Sequence, residues 1–570
     1  MKTSSVPLRK AASTALPFLF ALATITAPSP SQAFLTSTTA NLRQSVESIV
    51  DANKDQAGTL GIYVVDAQTS RVLVDINGNK TMVPASNNKL RTTAAALALL
   101  GEDFRYSTDL LTTTSADDRG VLPGDIIVRG GGDPTLSGRF EKEKTDVAAP
   151  LRELAKALKA KGITEVSGGL LLDDTYFDRD YFHSGWYKSE RGEWYEAEIW
   201  GLSFNDGCVD LTWSGKGLAP GDVASVTMNP QTDYVRLDNQ VRIAAKGRPS
   251  ERYYTRADQS NDLIASGTIT VDSSKVDSAT VWNGPLFFAS VFRDVLTSEG
   301  ISVRGSARLL DPNEVKKLEA DAQVIVSHKS PPLTDVVNTI NRVSQNYYAD
   351  TLIKTIGKVK AGTGSYAAGV KVIDDYYKNS GIYMAGHKIV DGSGLAAENL
   401  VSPRQLVETL RLADTGAHKA AWRDSLPIGS TRGSLKSRFQ QTTQSRTLSP
   451  NIMGKTGLIG GVRTLSGIAK NQAGREVYYS IILNDFKFSG ARAIEFIDEV
   501  AVAIAASEDK PSPVQMKQKP TSVKKGAKKK AQKQKAAAAN ISNNPKAEKA
   551  LRKAAQGRRR PATPATADVR

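Results

Sequence analysis

The chain is poor in the residues that most often announce a mechanism. One cysteine, Cys208, stands in 570 residues, so no disulfide can form within the chain. An exported protein with a large core does not need one. Papain-type chemistry would require a histidine placed beside that thiol by the fold, and Cys208 is read as structural. The four histidines, His183, His328, His387 and His418, are scattered without metal-ligand spacing. That pattern speaks against a zinc enzyme, and neither a metal nor another cofactor is expected. Beyond the first 33 residues no stretch approaches the ~20 apolar residues that a bilayer span takes. Aromatic residues are only 7% of the chain, yet 40% is hydrophobic, which leaves room for a large globular core.

Acidic residues are scarce at one end only. The formal charge is +16, and the segment from Lys510 to Arg570 holds 18 Lys and Arg against Glu548 and Asp568. The whole excess sits there, and the body is neutral. From about residue 508 the composition turns to Lys, Ala, Gln and Pro, as in "KKGAKKKAQKQKAAAA". Such a segment cannot bury enough apolar surface to offset the entropy of ordering, so 508–570 is expected to be a basic disordered tail. A polyanion is its natural partner. The N-terminus decides which kind. Lys2, Arg9 and Lys10 precede an apolar run from Ala11 to about Thr26, and Ser31-Gln32-Ala33 closes it. This is the build of a secretory signal peptide over 1–33, cleaved after Ala33. The expected location is periplasmic or otherwise extracytoplasmic. The tail is therefore expected to meet an anionic envelope polymer or lipid, and no nucleic acid.

Between these ends the texture changes twice. "NLRQSVESIVDANK" has helical apolar spacing, and "GTLGIYVVDAQTSRVLVDIN" reads as a hairpin around Ala67 to Ser70. A small-residue helix, "LRTTAAALALLG", follows and stops at Gly101. Short strands and Gly, Asp and Ser turns then dominate, with one clear helix at "APLRELAKALKAKG". Helices return at "GPLFFASVFRDVLTSEG", and strands close the body before a last helix, "GARAIEFIDEVAVAIAAS". One discontinuous α/β domain is expected, made of 34–105 and 286–507 and interrupted by a mostly-β insertion over 106–285.

Three strings carry chemistry. In "TMVPASNNKL", Ser86 and Lys89 lie three apart at the head of a helix, within reach of each other on one face. A lysine amine kept neutral by burial or by neighbouring positive charge can take a serine proton. Alone the pattern is weak, because Ser507 to Lys510 and Ser522 to Lys525 match it too. "INRVSQNYYADTL" places Ser344, Gln345 and Asn346 at a helix-to-helix junction; Ser203-Phe204-Asn205 and Ser449-Pro450-Asn451 share that spacing. Lys455-Thr456-Gly457 enters a strand and occurs once. Its lysine and threonine can hold a carboxylate, and its glycine would let a substrate backbone approach.

Together and in this order, the three strings resemble the active site of the penicillin-recognising serine enzymes. Within them the chain is similar to the class C low-molecular-mass penicillin-binding proteins, the D-alanyl-D-alanine carboxypeptidase/endopeptidase family. Further support comes from "GGGDPTL" (130–136), "LLLDDTYF" (170–177), "DGSGLAAENLVSPRQL" (391–406) and "LPIGSTRGSLKSRF" (426–439). The resemblance implies a β-lactamase/transpeptidase-like α/β domain, an antiparallel sheet with flanking helices, around the insertion. It implies peptidoglycan stem peptides as substrates and β-lactams as inhibitors.

By position, the resemblance makes Ser86 the nucleophile and Lys89 its base. Ser344 would relay a proton to the departing amine, and Asn346 would bond a substrate amide. Lys455 and Thr456 would hold the terminal carboxylate, Gly457 would belong to the substrate-binding strand that pairs with the peptide, and the N–H groups of Ser86 and Leu458 would form the oxyanion hole. Three residues depart from the family pattern: Gln345, which is expected to point away from the reacting atoms, Leu458, which brings no hydroxyl, and Ala396. "GGGDPTL" lacks the ending of a phosphate loop, and "DGSGL" is not a nucleophile elbow, so both are expected to serve structure. The alternatives are a β-lactamase, a biosynthetic transpeptidase, or a wall-binding protein without catalysis. Carboxypeptidase and endopeptidase action are not separated by these residues.

Overall fold

The computed structural model describes residues 41–509. The expected signal peptide, and all but the first two residues of the expected tail, lie outside the described residues.

The first and last parts of the body share one sheet. Its five strands run in the order Ile452–Ile459, Val462–Lys470, Glu476–Asn484, Thr59–Asp66, Val72–Ile76, each antiparallel to its neighbours. The N-terminal hairpin docks through Thr59–Asp66, which pairs residue for residue with Val477 to Asn484. Side-chain alternation explains why this strand is apolar almost throughout. Ile62 and Val64 enter a core with Leu42, Val46, Phe496, Val500 and Ile504 from the first and last helices. Tyr63 and Val65 point the other way, into a core with Leu90, Leu97, Leu333, Val336 and Leu410. Each fully buried aliphatic side chain stabilises by about 1.5–3 kcal/mol, so both faces hold the sheet between helical layers. The predicted hairpin turn is fixed by Asp66, whose carboxylate accepts the Gln68 and Thr69 N–H groups and pairs with Arg475.

Two helices run through the middle. Asn88–Leu100 is buried from Asn88 to Leu97, and Asn346–Ala361 from Asn346 to Gly357. The alanines of the first let its neighbours come close, as its composition predicts.

The insertion is richer than a mostly-β block. A mixed five-stranded sheet runs Ala307–Leu309, Leu170–Asp173, Ile126–Gly130, Ser107–Thr112, Gln323–Lys329. Ile126–Gly130 and Leu170–Asp173 are parallel, and the helix Ala149–Ala160 lies between them in the chain. An antiparallel three-stranded sheet and a four-stranded sheet built around Asp262–Thr270 complete its larger part. The strands of residues 302–329 pair with insertion strands, not with the first sheet. Helix Gly284–Ser298 likewise puts Phe287, Phe288 and Phe292 into the insertion core. We therefore propose a return to the first domain near Ser330, where the sequence alone suggests 286. An apolar helix reads the same in sequence whichever sheet it covers. Cys208 sits buried at the start of an insertion strand, where burial raises its thiol pKa.

Candidate active site

The stretch "PASNNK" does not begin the α-helix directly. Ala85–Asn87 forms a 3-10 turn that runs into helix Asn88–Leu100. Ala85 sits at φ 45°, a left-handed conformation that a side chain disfavours. The turn is held from outside: Thr464 donates its hydroxyl to the Pro84 carbonyl at 3.0 Å. The Asn87 amide, turned to satisfy its neighbours, donates to the Lys455 carbonyl at 2.6 Å and accepts from the Ser466 hydroxyl at 2.7 Å. Ser86 itself makes no capping bond. Its hydroxyl is partly exposed and lies 2.9 Å from the Lys89 amine.

Lys89 is fully buried, and its amine lies near two further oxygens, Asn346 Oδ1 at 2.6 Å and the Ser393 carbonyl at 2.9 Å. Neither of those oxygens can donate. A neutral amine has two N–H bonds for them and one lone pair left, which is free to accept from the Ser86 hydroxyl. Burial lowers the Lys89 pKa to about 8, against the pull of Asp350 and Asp391 in the other direction. Burial also raises Asp350 to about 8, helped by Asp391.

Ser344 occupies the left-handed region at φ 65°, between helices Leu333–Arg342 and Asn346–Ala361. Such a residue stores about 1–3 kcal/mol of strain, and this one faces the buried Lys455 amine at 2.8 Å. Asn346 touches Lys89 through its oxygen and donates its amide to the Tyr195 carbonyl at 2.9 Å. Gln345 turns the opposite way, donating to Asp206 in the insertion at 3.0 Å, as expected. One tight turn thus sends neighbouring side chains to opposite sides.

Lys455 opens the strand segment on the other flank. Its amine also donates to the Thr456 carbonyl at 2.8 Å. Burial chiefly, and the nearby Lys89 charge second, push its pKa well below the ordinary lysine value. The alternation of the strand buries Lys455 and Gly457 and leaves Thr456 and Leu458 open. Leu458 is 59% exposed. The Gly454 N–H bonds Pro427 on the side away from the neighbouring strand, so the N–H groups of Thr456 and Leu458 point to that same free edge. Gly457 needs a different explanation from the expected one. A Cβ there would lie 2.1 Å from Thr464 Oγ1 and 2.9 Å from the Pro84 carbonyl, so the close neighbour is the serine turn and not a substrate.

Several contributors carry no motif. Asp350 accepts the N–H groups of Gly392 and Ser393 at 2.7 and 3.1 Å, and Asp391 accepts those of Gly394 and Ala396 at 2.7 Å each. These bonds shape the "DGSGL" loop so that the Ser393 carbonyl reaches Lys89. Gly394 has φ 81°, and a Cβ on it would lie 1.9 Å from the Ala85 carbonyl. The loop therefore braces the serine turn, which is the structural role expected of it. Asp350 follows Asn346 by one helical turn, a spacing that could have flagged it; carbonyls of Tyr195 and Ser393 leave no trace in sequence. "GGGDPTL" also serves structure: Asp133 accepts the Thr135 N–H and hydroxyl.

The geometry brings Ser86, Lys89 and Asn346 into one hydrogen-bonded set and Ser344 and Lys455 into a second, near enough for the Lys89 charge to act on Lys455, with Thr456 and Leu458 at the open edge. A curated D-alanyl-D-alanine carboxypeptidase from Actinomadura sp. (strain R39) is 29% identical over 476 residues, 81% of this chain and 84% of that protein. The D-alanyl-D-alanine carboxypeptidase DacB of Haemophilus influenzae is 24% identical over 437 residues, 76% of this chain and 86% of its own. The crystal structure of penicillin binding protein 4 (dacB) from Haemophilus influenzae superposes with a TM-score of 0.68 at 23% identity, covering 80% of this chain and 97% of that one. That likeness bears out the expected α/β fold with its β-rich insertion. The model of the D-Ala-D-Ala carboxypeptidase 3 (S13) family matches residues 42–506, and the chain belongs to that family.

Proposed function

We propose that this enzyme is a serine-type D-alanyl-D-alanine carboxypeptidase of peptidoglycan, acting through an acyl-enzyme on Ser86. The observation that carries the reading is the Lys89 amine, buried and poised between the Ser86 hydroxyl and two oxygens that can only accept. In the first step the Ser86 proton passes to Lys89 while Oγ bonds the carbonyl carbon of the penultimate D-alanine. The N–H groups of Ser86 and Leu458 would receive the developing oxyanion. The C–N bond then breaks, and the departing D-alanine amine takes a proton through Ser344. Water attacks the resulting ester, and Ser86 is regenerated.

The 2.8 Å contact between Lys455 and Ser344 supports that relay. Lys455 and Thr456 would hold the terminal carboxylate, whose charge would favour the protonated form of the buried amine. The free edge of the Lys-Thr-Gly strand supports pairing with the substrate peptide as an added strand. The same chemistry extends to an endopeptidase reaction, in which the departing amine belongs to a cross-linked stem. β-Lactams, which present an acyl bond and a carboxylate, would acylate Ser86.

The test is mass spectrometry after incubation with a labelled penicillin, followed by product analysis on cross-linked muropeptides. A lasting penicilloyl adduct on the Ser86 peptide and release of D-alanine are expected. Rapid loss of the adduct would indicate a β-lactamase, and absence of both adduct and product a wall-binding protein. Cleavage of cross-links in the same assay decides the endopeptidase extension.

The S13 membership also supports an extracytoplasmic location, and the charge of the basic tail, which lies beyond the family match, supports a role in holding the enzyme on anionic envelope material. Removing residues 508–570 is expected to leave turnover of soluble peptides unchanged and to weaken retention on anionic wall or vesicles at low salt, where charge is least screened. Equal retention with and without the tail would sink this role.

A further inference from the structure

The strand that would bind the substrate carboxylate offers fewer donors than its geometry allows. Residues 456 and 458 lie on the same strand face, two apart, and both reach solvent. Thr456 brings a hydroxyl there; Leu458 brings none. A second hydroxyl nevertheless stands beside Thr456. Ser434 Oγ is 2.9 Å from Thr456 Oγ1, and both residues are partly exposed.

Ser434 is held in place by its surroundings. It belongs to the short turn Gly433–Leu435, anchored by the fully buried Leu435. The segment before it is stitched to the Lys-Thr-Gly strand by Gly454 N–H to the Pro427 carbonyl at 3.0 Å and Gly429 N–H to the Ile452 carbonyl at 2.9 Å. Gly433 has φ 66°, and a Cβ on it would lie 2.9 Å from the Arg342 carbonyl, two residues before Ser344. The turn is thus wedged between the strand and the Ser344 junction.

We infer that Ser434 is a specificity-determining residue that completes recognition of the substrate's terminal carboxylate, in the role that Leu458 cannot fill. Two facing hydroxyls share one proton between them and leave the other free to donate outward, and donation into one polarises the next. A carboxylate with two oxygens can take both hydroxyls when it docks between them, and hydrogen bonds to a charged group are the stronger kind. The pair therefore favours a carboxylate over a neutral amide at the substrate's C-terminus. This inference rests on the proposed carboxypeptidase reading.

The experiment compares kcat and KM for an acyl-D-alanyl-D-alanine peptide and for the same peptide ending in D-alaninamide, in the full chain and in Ser434→Ala. The preference for the acid, as a ratio of kcat/KM, is expected to fall about tenfold or more, chiefly through KM. Ser434→Thr should keep the preference, and Ser434→Ala combined with Leu458→Thr should regain part of it, because 458 shares the face of Thr456. The rate of acylation by benzylpenicillin, which also carries a carboxylate, should fall with Ser434→Ala. An equal loss on acid and amide, or no rescue by either threonine, would overturn the inference and assign Ser434 to packing alone. Wild-type chain that penicillin fails to label at Ser86 would instead overturn the carboxypeptidase reading beneath it.

Discussion

Replacing Ser86 by alanine is expected to abolish covalent labelling by penicillin and to lower peptide hydrolysis by about 10^4-fold or more, on the scale of losses seen when a serine nucleophile is removed. Its hydroxyl is paired with Lys89 at 2.9 Å, and no other serine hydroxyl in the described residues hydrogen-bonds that amine, which meets Ser393 only through the backbone carbonyl. Folding should survive the change. Ser86 is partly exposed, caps no helix, and stands in a turn fastened through Pro84 and Asn87 rather than through its own side chain. Circular dichroism and thermal melting on the variant check this, and they separate lost chemistry from lost structure. Unchanged hydrolysis in Ser86→Ala would defeat the assignment.

Lys89→Gln is expected to cost about 10^2- to 10^4-fold in acylation, the range that a positioned general base supplies. Glutamine can still bond the Ser393 carbonyl and Asn346, but its amide cannot take a proton. The wild-type pH profile carries the sign. The amine acts as a base only when neutral, and burial holds its pKa at about 8. Acylation by penicillin should therefore rise as pH climbs through about 8 and level off above it. Asp350 is raised into the same range, so the rise belongs to the coupled pair and not to one residue. In Lys89→Gln this limb should vanish. Stopped-flow acylation across pH measures it; a profile falling through 8, or the same limb in the variant, would exclude Lys89 as base. The double variant with Ser86→Ala should be no slower than Ser86→Ala alone, because the two act on one proton.

Much of the site could be read from local signals. The Lys-Thr-Gly string occurs once, and the apolar pattern on either side predicts the strand that carries it. The fold's ends were legible for the same reason: strand and helix periods are written in hydrophobicity, and both faces of Thr59–Asp66 are apolar because both are covered. The turn carrying Ser86 was read as the head of a helix. It is a 3-10 turn with a left-handed alanine, held by Thr464 and Ser466 and packed against the "DGSGL" loop, all more than 300 residues away and therefore absent from local propensity. The end of the insertion is hard to read from local signals because strand pairing is non-local, and Ser302–Val303 is too short to announce its partner.

By itself the sequence determined the residue types, their order, and the periodic elements that carry them, since these depend on neighbours a few positions apart. It could not choose among repeated patterns. Five Ser-x-Asn strings exist, beginning at Ser86, Ser203, Ser344, Ser449 and Ser542, and the tertiary structure alone brings Ser344 to Lys455 and Asn346 to Lys89, while Ser449 bonds Ser430 elsewhere. It also decided that the Lys89 amine is dry and hemmed in by the Ser393 carbonyl, and that Ser434 meets Thr456. The reason is physical: a lysine's basicity and a hydroxyl's partner are set by what packs around them, and packing joins residues that the chain keeps far apart.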